Sequence, residues 1–159
     1  MKTITLGASA NGKTVVLDYD NTNVEYHLLE TPNLIELVQE ALPSLVLGDD
    51  NQLVIEQDMG RVVGTTNLVD TTESDEIVYA KRIGRDAYSR FAKNRQPAPC
   101  SSIVIVLRKN DARYHLWTAM CARLLPKDAW DQESDFSKTH AMAFDEKLIQ
   151  IDTLSVSRP

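Results

Sequence analysis

The chain of 159 residues is long enough for one sizeable hydrophobic core and short for two, so a single domain over residues 1–159 is expected. Its hydrophobic fraction of 43% and charged fraction of 25% are typical of a globular protein, and the absence of a long apolar run excludes a membrane-spanning class. The first residues lack the apolar run of a signal peptide, and Cys100 and Cys121 are too few for a disulfide scaffold, so a cytoplasmic protein with reduced thiols is expected.

Residues 1–20 predict an N-terminal β-hairpin. Apolar and polar residues alternate over 3–6 and again over 14–19, with Asn11-Gly12 between the two runs. Period-two alternation is typical of a half-buried strand, and Asn-Gly tolerates the positive φ angles of a type I′ turn. Two antiparallel strands joined at this turn are therefore expected.

The same stretch also matches a phosphate-binding motif. The letters from Gly7 to Thr14 fit the P-loop pattern G-x-x-x-x-G-K-[ST], in which a helix following the lysine holds phosphate at its N terminus. After Lys13, however, the residues are β-branched and alternating where that helix is required. A chance match within a hairpin is preferred, and nucleotide binding through Gly7–Thr14 is kept as a lesser alternative.

Residues 31–43 predict an amphipathic helix. Apolar side chains recur at helical spacing and share one face: Leu34, Leu37, Val38, Ala41 and Leu42. Thr31 is expected at the N-cap, with Pro32 at the permitted first position, and Pro43 ends the helix. The apolar face should pack against a sheet.

Residues 52–120 predict the main sheet. An antiparallel meander is expected from three short β-like runs: 53–57, 61–66 and 76–81. The runs 102–108 and 113–120 are the most apolar and are separated by a turn sequence, so they are expected at the centre of the sheet.

Residues 82–95 predict a basic helix inserted in this sheet region. Helical spacing places one set of residues inward: Ile83, Ala87, Tyr88 and Phe91. Residues 126–159 form a polar tail with a last element, expected as a short ordered piece around 140–144 and a strand or helix near 148–154. The predicted fold class is α+β, an antiparallel meander with an N-terminal hairpin and two or three helices packed on the sheet.

Positive charge is concentrated in the middle of the chain, although the net charge is −6. Residues 1–80 hold 3 basic and 14 acidic side chains, residues 81–127 hold 11 and 2, and residues 128–159 hold 3 and 7. A surface built from the middle block would attract phosphates while the acidic ends keep the protein soluble. The alternative is a solvated face that pairs with those acidic ends.

The densest basic segment lies around the predicted helix 82–95. The residues expected to bind RNA phosphates are Lys81, Arg85, Ser89, Lys93 and Arg95, together with Arg82 and Arg90. Interleaved with them are three tyrosines that can stack on bases: Tyr79, Tyr88 and Tyr114. A plain solvated helix face is the competing interpretation, and Tyr88 is also expected on the apolar side of the helix.

The run 113–120 is a second candidate for chemistry. Strict alternation places its side chains in two sets: His115, Trp117 and Ala119 on one face, and Tyr114, Leu116 and Thr118 on the other. Metal-free RNA cleavage needs a general base, a general acid and cations, which histidine and arginine supply. Of the three histidines, His140 is preferred for this role, and structural roles are expected for His27 and His115.

The order of these elements resembles the barnase, EndoU, colicin and RelE group of ribonuclease folds over roughly residues 24–145. The resemblance rests on the helix of residues 31–43, the meander, Lys81-Arg82 closing a strand and the late strand 113–120. It implies metal-independent RNA cleavage on a sheet face. The matching catalytic positions would be Arg82, Arg90, Thr118 and His140.

The sequence therefore favours an RNA-directed protein, with a metal-independent ribonuclease of toxin-like or processing type as its enzymatic form. The alternative is a non-catalytic RNA- or protein-binding module of phage or mobile-element type. Expected partners are RNA and an acidic protein or inhibitor, with no membrane. No cofactor and no metal site are expected, because neither Cys100 nor Cys121 has a histidine or second cysteine at ligand spacing.

Overall fold

The computed structural model describes residues 2–29, 31–66, 68–70, 74–81, 88–92, 96–123 and 142–145. The chain divides into two compact units, one made of residues 1–65 and 99–124 and the other of residues 66–98 and 125–159. The first unit is discontinuous in sequence because the chain leaves it after residue 65 and returns at 99. The expectation of a single domain stays a prediction.

Most of the regular structure among the described residues is β-strand. In the first half of the chain the strands are β1 (Thr3–Ala8), β2 (Thr14–Asp18), β3 (Gln52–Asp58), β4 (Gly64–Thr66), β5 (Leu68–Asp70) and β6 (Ile77–Lys81). In the second half they are β7 (Tyr88–Ala92), β8 (Ala98–Cys100), β9 (Ser102–Asn110), β10 (Arg113–Cys121) and β11 (Met142–Asp145). The helices are α1 (Glu25–Leu28) and α2 (Leu34–Ala41), and a 3-10 turn follows at Leu42–Ser44.

The first unit is built on a five-stranded sheet in the order β1-β2-β10-β9-β3. β1 and β2 form the antiparallel hairpin that alternation predicts, and β3 and β10 flank β9 in antiparallel fashion. β10 lies in the middle of the sheet and pairs with β2 in parallel. The two most apolar runs of the sequence thus occupy the centre of the sheet, as their composition predicts.

Helix α2 packs on one face of this sheet against β1, β9 and β10. Its buried residues are Leu34, Leu37, Val38 and Ala41, the stripe that helical spacing predicts. They meet the inward residues of β9, Ile103, Ile105 and Leu107, each fully buried. Burial of each such aliphatic side chain contributes roughly 1.5–3 kcal/mol to folding.

The predicted fold class of α+β with two or three helices packed on the sheet is wrong, because the structure is mostly sheet. Of its helices only α2 exceeds a single α-helical turn among the described residues. The sheets are also not a simple antiparallel meander, since β2 pairs with β10, and β7 with β11, in parallel.

The predicted basic helix 82–95 is wrong where the structure describes it, because residues 88–92 form strand β7. Tyr88 and Phe91 fit a helical spacing, but they are also residues that strands favour. Pairing with β6 and with β11 supplies hydrogen bonds on both sides of β7, and this tertiary pairing overrides the local pattern.

The predicted cap of α2 also differs. Thr31 is not the N-cap; Asn33 holds that position, with no side-chain hydrogen bond. The Thr31 carbonyl instead accepts a hydrogen bond from the Leu34 amide, and its hydroxyl meets the Cys121 thiol at 3.5 Å. Thr31 is buried, so its hydroxyl contacts the interior of the first unit and does not cap the helix.

The second unit contains a four-stranded sheet in the order β5-β11-β7-β6. β6 and β7 are antiparallel, β11 runs parallel to β7, and β5 is antiparallel to β11. In this order β6 is an edge strand. A two-stranded sheet, most of whose residues belong to the first unit, pairs β4 with β8. No helix among the described residues is long and apolar enough to cross a membrane.

Candidate functional site

The β6–β7 hairpin brings two aromatic and two basic residues onto one face. In its register Tyr79 pairs with Arg90, and Lys81 pairs with Tyr88. Paired residues of antiparallel strands lie on the same face, as do alternate residues along one strand. Tyr79, Lys81, Tyr88 and Arg90 therefore occupy one face of the hairpin, and we call this set the aromatic–basic face.

The four positions of the aromatic–basic face alternate in chemistry. Each cross-strand pair joins a tyrosine to a cation, so the tyrosines occupy one diagonal of the set and Lys81 and Arg90 the other. Directly opposed Cβ atoms in such a ladder are about 4.5–5.5 Å apart and diagonal ones about 7–8 Å. The four positions thus fall within the length of a few nucleotides.

The other face of the same sheet is mostly apolar, although Ser89 and Asp70 also lie on it. By the same register it holds Val78, Ala80 and Phe91, with Phe144 of β11 paired to Phe91 and Leu68 of β5 paired to Phe144. An antiparallel sheet with one apolar and one polar face typically packs the apolar face and leaves the other for solvent or ligands. The register thus separates the aromatic–basic face from the mostly apolar face of the sheet.

The predicted RNA-binding residues fall in different places. Lys81 and Arg90 belong to the aromatic–basic face, whereas Ser89 pairs with Ala80 on the apolar side. Others lie outside the described residues: Arg82, Arg85, Lys93 and Arg95. Tyr114, predicted to stack on bases, is instead buried in the core of the first unit, and its hydroxyl donates to the carbonyls of Gly48 and Asp50 at 2.8 Å each.

The predicted catalytic set is only partly described. Thr118 lies in β10 of the first unit, and Arg90 lies in β7 of the second. His140 and Arg82 lie outside the described residues. His27 is half-buried on α1, whereas His115 is buried.

A bulge in β10 changes the faces that strict alternation predicts. The register with β9 shifts between Leu116 and Thr118, so Trp117 is the extra residue. Its carbonyl accepts hydrogen bonds from the Thr22 hydroxyl at 2.9 Å and from the Asn23 amide at 2.7 Å. A bulge leaves its extra residue without a ladder partner and redirects the side chains beyond it, and the loop before α1 satisfies the carbonyl that is released.

The predicted assignment of Thr118 to the Leu116 face and of Ala119 to the His115 face is therefore wrong. Leu116 and Ala119 belong to the hydrophobic core under α2, whereas His115 and Thr118 do not. The β9 partners of His115 and Thr118 are Arg108 and Val106. Arg108 and Val106 are two residues apart in β9, so both lie on the face away from α2. The bulge brings His115 and Thr118 onto one face.

The residues that match the P-loop pattern form the end of β1, the turn of the β1–β2 hairpin and the first residue of β2. β2 begins at Thr14, where a P-loop needs a helix N terminus. The side-chain amide of Asn11 exchanges two hydrogen bonds with the backbone of Leu47, and the Lys13 ammonium pairs with Asp49. The asparagine and lysine of the motif are thus bound to the segment after α2.

Metal ligands do not cluster in the part of the chain that the structure describes, where no three His, Cys, Asp or Glu side chains come together. Comparison of the chain with protein-family models, with curated proteins and with solved structures gives no match. The resemblance to ribonuclease folds stays a prediction, and function is inferred from geometry.

Proposed function

We propose that the protein binds single-stranded RNA on the aromatic–basic face of the β6–β7 hairpin. The observation that supports this most directly is the β6–β7 register, which pairs Tyr79 with Arg90 and Lys81 with Tyr88. Tyrosine rings stack on unpaired bases, and each stacked base contributes roughly 1–3 kcal/mol. Lysine and arginine neutralise the phosphates that join those bases.

The charge distribution supports the same surface. Outside residues 81–127 the chain carries more acidic than basic side chains, so most of it repels a polyanion. Lys81 and Arg90 belong to the block with 11 basic and 2 acidic residues. An RNA backbone is therefore attracted to Lys81 and Arg90 and repelled by the acidic segments of the chain.

Single-stranded RNA fits better than a duplex. The bases of a duplex are stacked on each other and unavailable to tyrosine rings, whereas unpaired bases expose both faces. An antiparallel strand pair also resembles the sheet platforms on which aromatic side chains stack two or three bases. The proposal thus predicts a preference for unpaired RNA with little sequence selectivity, because every base has an aromatic face.

Substitution of the tyrosines tests the proposal. Fluorescence anisotropy of a labelled single-stranded RNA should show binding weakened about 5- to 150-fold by Tyr79→Leu or Tyr88→Leu, the range that corresponds to one lost stack. Tyr79→Phe and Tyr88→Phe keep the ring and should bind within about twofold of wild type. Ser89→Ala changes the opposite face of β7 and serves as the control. Equal binding by all five variants and wild type would overturn the proposal.

Cleavage is measured in the same sample. Incubation of the RNA with protein in EDTA, followed by gel electrophoresis, distinguishes binding from a metal-independent ribonuclease. If the enzymatic form of the proposal holds, the RNA is cut, His140→Ala abolishes the cut and Arg82→Ala slows it. Shifted but intact RNA assigns the protein to the binding class.

A further inference from the structure

Two buried polar side chains in the first unit lack hydrogen-bond partners. His115 is 8% exposed and Thr118 is 7% exposed. Neither imidazole nitrogen of His115 nor the hydroxyl of Thr118 has a partner. Buried polar groups in folded proteins are nearly always hydrogen-bonded, so three such atoms on one strand require an explanation.

The surroundings of these groups are apolar on two sides. Val16 pairs with His115 across the parallel β2–β10 ladder and is fully buried. Val106 pairs with Thr118 across β9, and the neighbouring Val104 is buried as well. The wall supplied by these valines offers no acceptor or donor, so the partner of His115 and Thr118 must come from outside the sheet.

A cation lies at the exposed end of the same face. Arg108 pairs with His115 in the β9–β10 register and is exposed. Its guanidinium is held in place, because Nε donates to the Gln52 side-chain oxygen at 3.3 Å and the guanidinium carbon lies 3.8 Å from the Trp117 ring centroid. Among the contacts of the described residues, both terminal amino groups of Arg108 remain without a hydrogen-bond acceptor.

We propose that His115, Thr118 and Arg108 form a binding site for a phosphate group. The two terminal amino groups of Arg108 match the spacing of two phosphate oxygens. A ring N–H of His115 and the Thr118 hydroxyl donate to the remaining oxygens. Valine walls exclude water and thereby strengthen these hydrogen bonds. Three donor groups of different reach fit a tetrahedral anion with four oxygens better than a planar carboxylate with two.

This site does not depend on RNA binding by the aromatic–basic face. It lies on β9 and β10 of the first unit, whereas the aromatic–basic face lies on β6 and β7 of the second. Its ligand is a phosphate group that is either inorganic or the terminal group of a small phosphomonoester. Loss of RNA binding in the tyrosine variants would leave the phosphate site unaffected.

Calorimetric titration of the whole chain with inorganic phosphate, and separately with glycerol phosphate, tests this site. Saturable binding is expected with a stoichiometry of one, and the tighter of the two ligands identifies the source of the phosphate group. Arg108→Gln and Thr118→Val should each weaken binding at least about tenfold, since each removes a charged or buried hydrogen bond. Thr118→Val is close to isosteric and removes an unpaired hydroxyl, so its loss of binding cannot be attributed to unfolding.

Lys109→Gln is the matched control, because it removes one positive charge from the adjacent residue of β9, which lies on the other face. It should bind phosphate within about twofold of wild type. Trp117 emission, measured with Trp130→Phe as background, should change with the same dissociation constant, since phosphate binding alters the Arg108 guanidinium over the ring. Absence of saturable binding, unchanged affinity in Thr118→Val, or equal loss in Lys109→Gln would overturn the proposal.

Discussion

The guanidinium of Arg108 lies over the indole ring of Trp117, with its central carbon 3.8 Å from the ring centroid. The contact follows from the register, because Trp117 lies on the same face of β10 as His115, and His115 pairs with Arg108. Stacked guanidinium and indole groups attract each other by about 0.5–1 kcal/mol at exposed sites. Trp117 therefore helps to hold the cation of the proposed phosphate site in place.

A double-mutant cycle measures this contact. Arg108→Gln, Trp117→Leu and the double variant, compared by urea unfolding without phosphate, should give a coupling free energy of about 0.5–1 kcal/mol. The physical reason is that each single variant already loses the stacking, so the second substitution adds less. Strict additivity of the two single effects would show that the two side chains do not interact.

Thr118→Val should stabilise the protein in phosphate-free buffer. The hydroxyl is buried without a partner, and replacing it with a methyl group removes its desolvation penalty, so the free energy of unfolding should rise by about 1 kcal/mol. Thr3→Val, at an exposed position of β1, should change it by less than about 0.5 kcal/mol. A clear loss of stability in Thr118→Val would mean that its hydroxyl has a protein partner after all.

Tyr114→Phe should destabilise the first unit by about 1–1.5 kcal/mol. The ring is buried in the core, and its hydroxyl donates to carbonyls of the loop after the 3-10 turn, at Gly48 and Asp50. Without the hydroxyl both carbonyls lose this donor. Equilibrium urea denaturation gives the difference, and hydrogen exchange should be faster at Asp50 and Asn51. Unchanged stability together with unchanged exchange would show that the loop is held by other contacts.

Acid should weaken the ion pair between Glu40 and Arg61. Two hydrogen bonds of 2.7 Å from the guanidinium lower the pKa of the Glu40 carboxyl below its usual value. A lowered carboxyl pKa adds stability above the ordinary carboxyl range, and that contribution is lost as pH falls through the lowered pKa. Glu40→Gln should therefore reduce the drop in melting temperature between neutral pH and pH about 3, although modestly because the pair is exposed. An identical pH profile would contradict this role.

Local sequence patterns predicted the elements in which the apolar residues alone determine which face is buried. The apolar spacing from Leu34 to Ala41 and the apolar run of β9 each correspond to one buried face. Tyr88 and Phe91, in contrast, fit both a helix and a strand, and only pairing with β6 and β11 decides between them.

The candidate sites could not be read from the sequence because both depend on register. A shift of one residue moves every side chain of a strand to the other face, and the sequence between Lys81 and Tyr88 does not determine that register. The bulge at Trp117 likewise depends on how β10 pairs with β9 and on the loop at Thr22 that satisfies its carbonyl. The sequence shows that these tyrosines and cations lie in one basic segment, but it does not show which of them share a face of the sheet.

The most direct test of RNA binding by the aromatic–basic face is the salt dependence of affinity for single-stranded RNA. On single strands each neutralised phosphate contributes about 0.7 to the slope of log affinity against log salt. The Lys81→Gln/Arg90→Gln double variant should therefore have a slope shallower by about 1.4 than wild type. The control Lys13→Gln/Arg61→Gln loses the same charge from cations that pair with Asp49 and Glu40, and its slope should match wild type. An unchanged slope in the first variant, or equal shallowing in both, would contradict the account.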